Sequence, residues 1–204
     1  MKKLLFVSIF AIVTLMSLPV AFGYPVYQGD IVTLSDSTGN GPGGEFRVTK
    51  GAFSFNTFCL EGNEYIMPPY TVKVGSIDAY AIAGGISGGP NDPLDARTAY
   101  LYYHFAIGNL AGYTYGNASS ADALQAAIWY IEGEGGSNNE FVTLAQNAIS
   151  SGEWSGLGNV RVLNLVNKDT GANQQSLLTL VPEPMTMILF GLGLIGLAAL
   201  TRKE

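Results

Sequence analysis

Asn117-Ala118-Ser119-Ser120-Ala121-Asp122-Ala123-Leu124-Gln125-Ala126-Ala127-Ile128-Trp129-Tyr130-Ile131-Glu132-Gly133 is the stretch on which the fold turns. Ser119 and Asp122 form a capping-box-like pair ahead of a helix over 121–132, which Gly133 and Gly135-Gly136 end. Upstream, Asp92 caps another helix, with Pro93 at its first position and Asp95 near its positive end; it runs to Ile107 and stops at Gly108. Downstream, a third helix is expected over Asn139–Ser150. Strands flank this helical block. Tyr24–Val32 and Phe46–Phe58 read as strands separated by the polar, Gly-rich loop Ser35–Gly44, and Tyr70–Val74 as a further one. Gly84–Pro90 makes a flexible connection, and Val160–Asn167 and Gln175–Val181 are strands after the helices. Strands, then helices, then strands predict an α+β domain, a β-sandwich or barrel-like set of strands with an inserted helical region. No internal repeat interrupts it.

The two ends of the chain are set apart from this domain. Met1-Lys2-Lys3 followed by an apolar run to Val20, with small residues at Ala21 and Gly23, has the layout of a secretory signal peptide over 1–23 cut before Tyr24. Between Tyr24 and Pro184 stand six basic residues against fifteen acidic ones, a net charge of −9. With no Lys or Arg cluster, nucleic-acid binding is excluded as a function class, and the acidic balance serves solubility. The 26 glycines and 11 tyrosines suit a turn-rich extracellular domain, and one cysteine rules out a disulfide framework.

At the other end, Val181-Pro182-Glu183-Pro184 precedes the apolar stretch Met185–Leu200 and then Thr201-Arg202-Lys203-Glu204. Sixteen helical residues span about 24 Å, enough for a marginal membrane anchor with its basic end inside. The sorting motif Pro182, Glu183 and Pro184, the short Gly-rich helix and the basic terminus, over 182–204, resemble the PEP-CTERM signal. That resemblance implies recognition by an exosortase of a Gram-negative bacterium, cleavage near the motif, and delivery from the inner membrane to the cell surface or exopolysaccharide matrix. Gly191-x-Gly193-x-x-Gly196 imitates a dinucleotide-binding fingerprint, but it lies inside a membrane segment, where small residues serve close helix packing.

The chemistry centres on Cys59, in Phe58-Cys59-Leu60-Glu61 at the end of a predicted strand, and on Leu124-Gln125-Ala126-Ala127-Ile128-Trp129. A lone thiol in an exported chain reads either as a small buried apolar side chain or as a reactive group. These segments together resemble the Cys–Gln thioester domains of Gram-positive surface adhesins, over about Phe53–Glu134. Cys59 and Gln125 fall on the bond-forming positions; Leu124 replaces the usual Thr and Leu60 the usual Ile. The resemblance implies an internal thioester, made when the thiolate attacks the Gln carboxamide and expels ammonia. A surface amine or hydroxyl on a protein or polysaccharide target would then displace the sulfur, a single covalent attachment and no enzymatic turnover. Trp129 and Ile128 lie on the helix face of Gln125 and could keep water out.

Two further residues are candidates for support. His104, in an aromatic stretch, is either a proton shuttle or a half-buried helix histidine, and Glu61 either polarises a neighbour or is solvated at a strand end. No cofactor is needed, and one His and one Cys offer no metal cluster. A bond closing a loop of 66 residues could also be a structural staple worth about 4 kcal/mol. The competing functions are a non-covalent exopolysaccharide-associated matrix protein, with Trp154 and Tyr24–Tyr27 as stacking residues, and an exported hydrolase built on Cys59 and His104. Asn117-Ala118-Ser119 fits a glycosylation sequon but reads as the turn before a helix.

Overall fold

Alternating inward apolar and outward polar side chains generate the sheet: Val32 and Leu34, Phe46 and Val48, and Val72 and Val74 point to one buried face along successive strands. The computed structural model describes residues 23–40, 43–66, 70–83 and 91–182, of which Gly23–Pro182 form one compact unit. Residues 1–22 of the leader expected over 1–23, the Gly-rich connection expected over 84–90 and the membrane helix expected over 185–200 lie outside the described residues. Among those described, no helix is long and apolar enough to cross a membrane.

In chain order the elements are β1 (Ile31–Asp36), β2 (Phe46–Lys50), β3 (Phe53–Thr57), β4 (Tyr70–Asp78), β5 (Tyr80–Ala81), β6 (Asp92–Pro93), α1 (Ala96–Ala106), α2 (Ala118–Glu132), α3 (Glu140–Ser150), β7 (Val160–Asn167) and β8 (Leu177–Leu180). Six strands form one antiparallel sheet in the order β3-β2-β1-β4-β7-β8. Beyond β3 the chain stays extended and returns to β8: Leu60 N–H donates to Ser176 O (2.9 Å), Leu178 N–H to Phe58 O (3.2 Å), and Thr57 Oγ1 to Leu178 O (2.5 Å). The two edge strands therefore meet, and the sheet is nearly a barrel, which removes the exposed edge hydrogen-bonding groups of an open sheet. The three helices enter between β6 and β7, so the predicted α+β class with an inserted helical region describes the molecule. Phe105 of α1 packs edge-on against Phe58 (4.9 Å between ring centroids) and ties the helices to the barrel seam.

Several predicted boundaries are corrected. The first strand begins at Ile31 rather than Tyr24, because Gly29 (φ 92°) and the Tyr27 N–H bond to Asp30 Oδ2 (2.7 Å) make a turn ahead of it. Phe46–Phe58 is a hairpin and not one strand. Gly51 (φ 58°) followed by Ala52 forms the two-residue turn, a left-handed first position that glycine adopts without steric penalty. Asp92 does not cap α1; Asp92 and Pro93 pair with Tyr80–Ala81, and the cap is Asp95, whose carboxylate accepts from Arg97 N–H (2.7 Å). Asn117 caps α2, accepting from Ser120 N–H (3.0 Å), in place of Ser119 and Asp122. The ends of α1 at Ile107 and Gly108, of α2 at Gly133, and the extents of α3 and β7 agree with the sequence prediction within a residue.

Candidate functional site

Gln125 stands on the buried face of α2 with Ala121, Leu124 and Ile128, all 0% exposed. A carboxamide placed there, 1% exposed, must find its hydrogen bonds inside the protein. It finds them on one residue. Cys59 N–H donates to Gln125 Oε1 (3.0 Å), and Gln125 Nε2 donates to Cys59 O (2.8 Å). The side chain thus acts as a short strand beside the main chain of Cys59, while on its other side Cys59 bridges Leu177 of β8. The carboxamide spans the Cα of Cys59, which sets the carboxyl carbon of Gln125 beside the residue carrying Sγ. Burial pushes the Cys59 thiol pKa up, so the sulfur is held as neutral S–H.

Gly43 completes the surroundings. A Cβ built on it would stand 2.7 Å from Gln125 Cγ and 2.8 Å from Trp129 Cη2, and its φ is +92°. The loop leading to it is anchored on α2, where Asp122 accepts from Asn40 N–H at 3.0 and 3.3 Å, and on itself through Ser37 N–H to Glu45 O (2.9 Å) and Glu45 N–H to Thr38 O (2.7 Å). Asp122, expected as a cap, instead holds this loop. Gly43 and Asn40 have no periodic or motif signal; the only sequence hint to them is the glycine density of the loop.

The other predicted residues are distributed around this pair. Trp129 is half-buried against Gly43 and Gln125, and its buried Nε1 has no hydrogen-bond partner among the described residues. Ile128 is fully buried in the core beneath. His104 lies elsewhere: its Nδ1 pairs with Asn109 Oδ1 (2.8 Å) and its ring packs on Tyr100 (4.5 Å), Tyr103 (5.3 Å) and Trp154 (5.9 Å). Glu61 is 1% exposed rather than solvated, and its main-chain oxygen accepts from Gln175 Nε2 (2.7 Å).

Glu61 belongs to an acidic group that the sequence does not reveal. Carboxylate oxygens of Glu61, Asp92 and Glu134 lie within 4.8 Å of one another, an all-oxygen set of the type that suits a hard cation. Glu134 also accepts from Gly62 N–H (3.0 Å). Close by, Glu132 accepts from Asp95 N–H (3.3 and 3.4 Å); burial, and the neighbouring Asp95 and Asp92 charges, raise its pKa to about 8.

The chain leaves this domain through β8. Val181 is half-buried, Pro182 is exposed, and Glu183 and Pro184 lie outside the described residues. Residues 180–203 match the PEP-CTERM protein-sorting motif. The PEP-CTERM motif makes the chain an exosortase substrate, exported and destined for the surface or extracellular space of a Gram-negative bacterium. Its first matched residue, Leu180, is the last residue of β8, so motif and barrel overlap. Among curated proteins and solved structures, none matches the chain significantly.

Proposed function

We propose that this exported protein forms an internal thioester between Cys59 Sγ and the carboxyl carbon of Gln125, and spends it once to attach covalently to a nucleophile on a target surface. The observation that carries the reading is the pair of hydrogen bonds, 3.0 and 2.8 Å, through which the main chain of Cys59 grips the Gln125 carboxamide in a buried setting. Bond formation breaks the C–Nε2 bond, makes the C–S bond, and passes the thiol proton to the departing nitrogen, which leaves as ammonia. Oε1 keeps its bond from Cys59 N–H throughout, so the acyl group stays polarised and positioned. The surrounding Trp129, Ile128 and Gly43 exclude water, which a thioester needs to persist.

A primary amine then adds to the same carbon. The C–S bond breaks, an amide to residue 125 forms, and the amine proton returns to sulfur. The test is labelling by a biotinylated primary amine: the wild-type domain incorporates one label at residue 125, and Cys59→Ala and Gln125→Ala incorporate none. Equal labelling of wild type and Cys59→Ala would end the proposal.

A second reading has an observation of its own. Half-buried Tyr103 and Trp154 pack together, 5.1 Å between centroids, and buried Tyr100 backs Trp154 at 5.9 Å. The Tyr103–Trp154 pair suits non-covalent stacking on a matrix polysaccharide, with the Cys59–Gln125 pair serving only as a seam. Saccharide binding that survives Cys59→Ala and falls with Trp154→Ala would favour it.

A further inference from the structure

Asp122, Gln125 and Trp129 stand at i, i+3 and i+7 on α2, so they line one face of the helix, and the loop after β1 lies against that face. The two limbs of the loop touch each other there. A Cβ on Gly39 would sit 3.2 Å from Gly44 Cα and 2.9 Å from Asp122 Oδ1, and one on Gly44 would sit 3.2 Å from Gly39 Cα and 3.7 Å from Asp122 Oδ1. The Asp122 carboxylate therefore rests on both limbs while it accepts from Asn40 N–H (3.0 and 3.3 Å). The base of the loop is fixed separately, to the barrel: Glu45, 4% exposed, accepts from Asn56 Nδ2 (2.6 Å) and from the Tyr113 hydroxyl.

Gly43, next to Gly44, is where the loop meets the reacting carbon. A Cβ on Gly43 would stand 3.1 Å from Gln125 Cδ, and also 2.7 Å from Gln125 Cγ and 2.8 Å from Trp129 Cη2. A water oxygen at that place would collide with both of the latter atoms, since ordinary non-bonded contacts lie near ~3.5 Å. On this side Gln125 Cδ is reached only when Gly43 moves away, and Gly43 moves with the limbs on which Asp122 rests.

We infer that Asp122 is a positioning residue for the thioester: by holding Asn40 and the glycine limbs on α2 it keeps Gly43 against Gln125 Cδ, and so sets how long the bond lasts before a nucleophile reaches it. The inference rests on the thioester reading. Hydrolysis breaks the C–S bond, joins the water oxygen to Cδ and returns a proton to sulfur, leaving an acid at residue 125 and a thiol at Cys59. An amine attacks the same carbon, so both reactions share the step in which Gly43 lifts. Removing the Asp122 carboxylate loosens the cover without touching either bond-forming residue, because Glu45 still fixes the base of the loop.

The test uses the exported protein, purified after expression of the full chain, as wild type, Asp122→Ala and Asp122→Asn. Intact mass followed over time gives the half-life of the ammonia-depleted form in water and its rate of reaction with methylamine. Asp122→Ala should form the thioester, and should hydrolyse and take up methylamine faster by a common factor of about 10 or more, the weight of one hydrogen bond to a charged group. Asp122→Asn, whose Oδ1 still accepts from Asn40 N–H, should restore wild-type rates. Gly39→Ala, which places a methyl group 2.9 Å from Asp122 Oδ1 and forces the two apart, should shorten the half-life as Asp122→Ala does. Ammonia-depleted wild type and Asp122→Ala with equal rates would overturn the inference and leave the thioester standing, as would a Gly39→Ala half-life equal to that of wild type or a rise in only one of the two rates. Wild type at the full sequence mass, with Gln125 unmodified, would overturn the thioester reading itself and this inference with it.

Discussion

Gly43 and Gln125 concentrate the chemistry of the site into two side-chain choices. Gly43→Ala places a methyl group 2.7 Å from Gln125 Cγ at a φ of +92°, where an L side chain is strained as well as crowded. The expected cost is about 1–3 kcal/mol in urea unfolding, with slower amine incorporation as Gln125 is displaced. In the Cys59→Ala background, where no thioester forms and Gln125 keeps its amide, Gln125→Glu keeps the volume but replaces the Nε2 donor, leaving a carboxylate against the main-chain oxygen of residue 59. At pH 7 this should destabilise by about 1–3 kcal/mol. Buried there, the acid has a raised pKa, and protonation restores a donor. The deficit should therefore be largest at neutral pH and shrink as pH falls toward 4, measured by denaturation at successive pH values. A pH-independent deficit would contradict the assigned hydrogen bonds. The same Glu is what hydrolysis of a thioester would leave at this position.

At the scale of elements, the junction between α1 and α2 carries a titratable group. Glu132, near the end of α2, accepts from Asp95 N–H at the start of α1, with its pKa raised to about 8 by burial and by Asp95 and Asp92. The folded state holds this proton more tightly than the unfolded chain, whose glutamate titrates near 4.5. Its contribution is thus fully present below about 4.5 and is lost as pH rises toward about 8. Glu132→Gln, which still accepts from Asp95 N–H, should flatten the stability profile over that window and be more stable than wild type at pH 8. Parallel profiles for variant and wild type would contradict the shift. Elements with strong local signals were legible: the glycines ending α1 and α2, and the apolar run of β7. Caps were not, because three residues could cap and tertiary contacts chose among them. Asp122 is taken by Asn40, and Asp92 is drawn into a strand with Ala81. Asn117→Ala, removing the cap actually used, should cost about 1 kcal/mol, read by thermal unfolding. The hairpin inside Phe46–Phe58 was written in Gly51, but a continuous aromatic pattern concealed it.

Over the whole molecule, barrel closure turns a pair of residues 66 positions apart into neighbours. The chain beyond β3 must complete the seam with β8, and α2 must lie across it, before Gln125 can grip Cys59. Residue types identified that pair through resemblance to thioester domains. The rest of the site, Gly43 with its loop and the carboxylates of Glu61, Asp92 and Glu134, comes from four separate stretches that only the closed fold assembles. The tail was legible for the opposite reason: a sorting signal is read as a linear segment, and its motif needs no fold to be recognised. The covalent state of the central pair is therefore what most needs measuring. Intact mass of the purified domain, followed by peptide mapping at Cys59 and Gln125, is the direct test. The account predicts a mass one ammonia below the sequence value, restored by one methylamine located on residue 125. A mass equal to the sequence value, with alkylatable Cys59 and an unmodified Gln125, would contradict it.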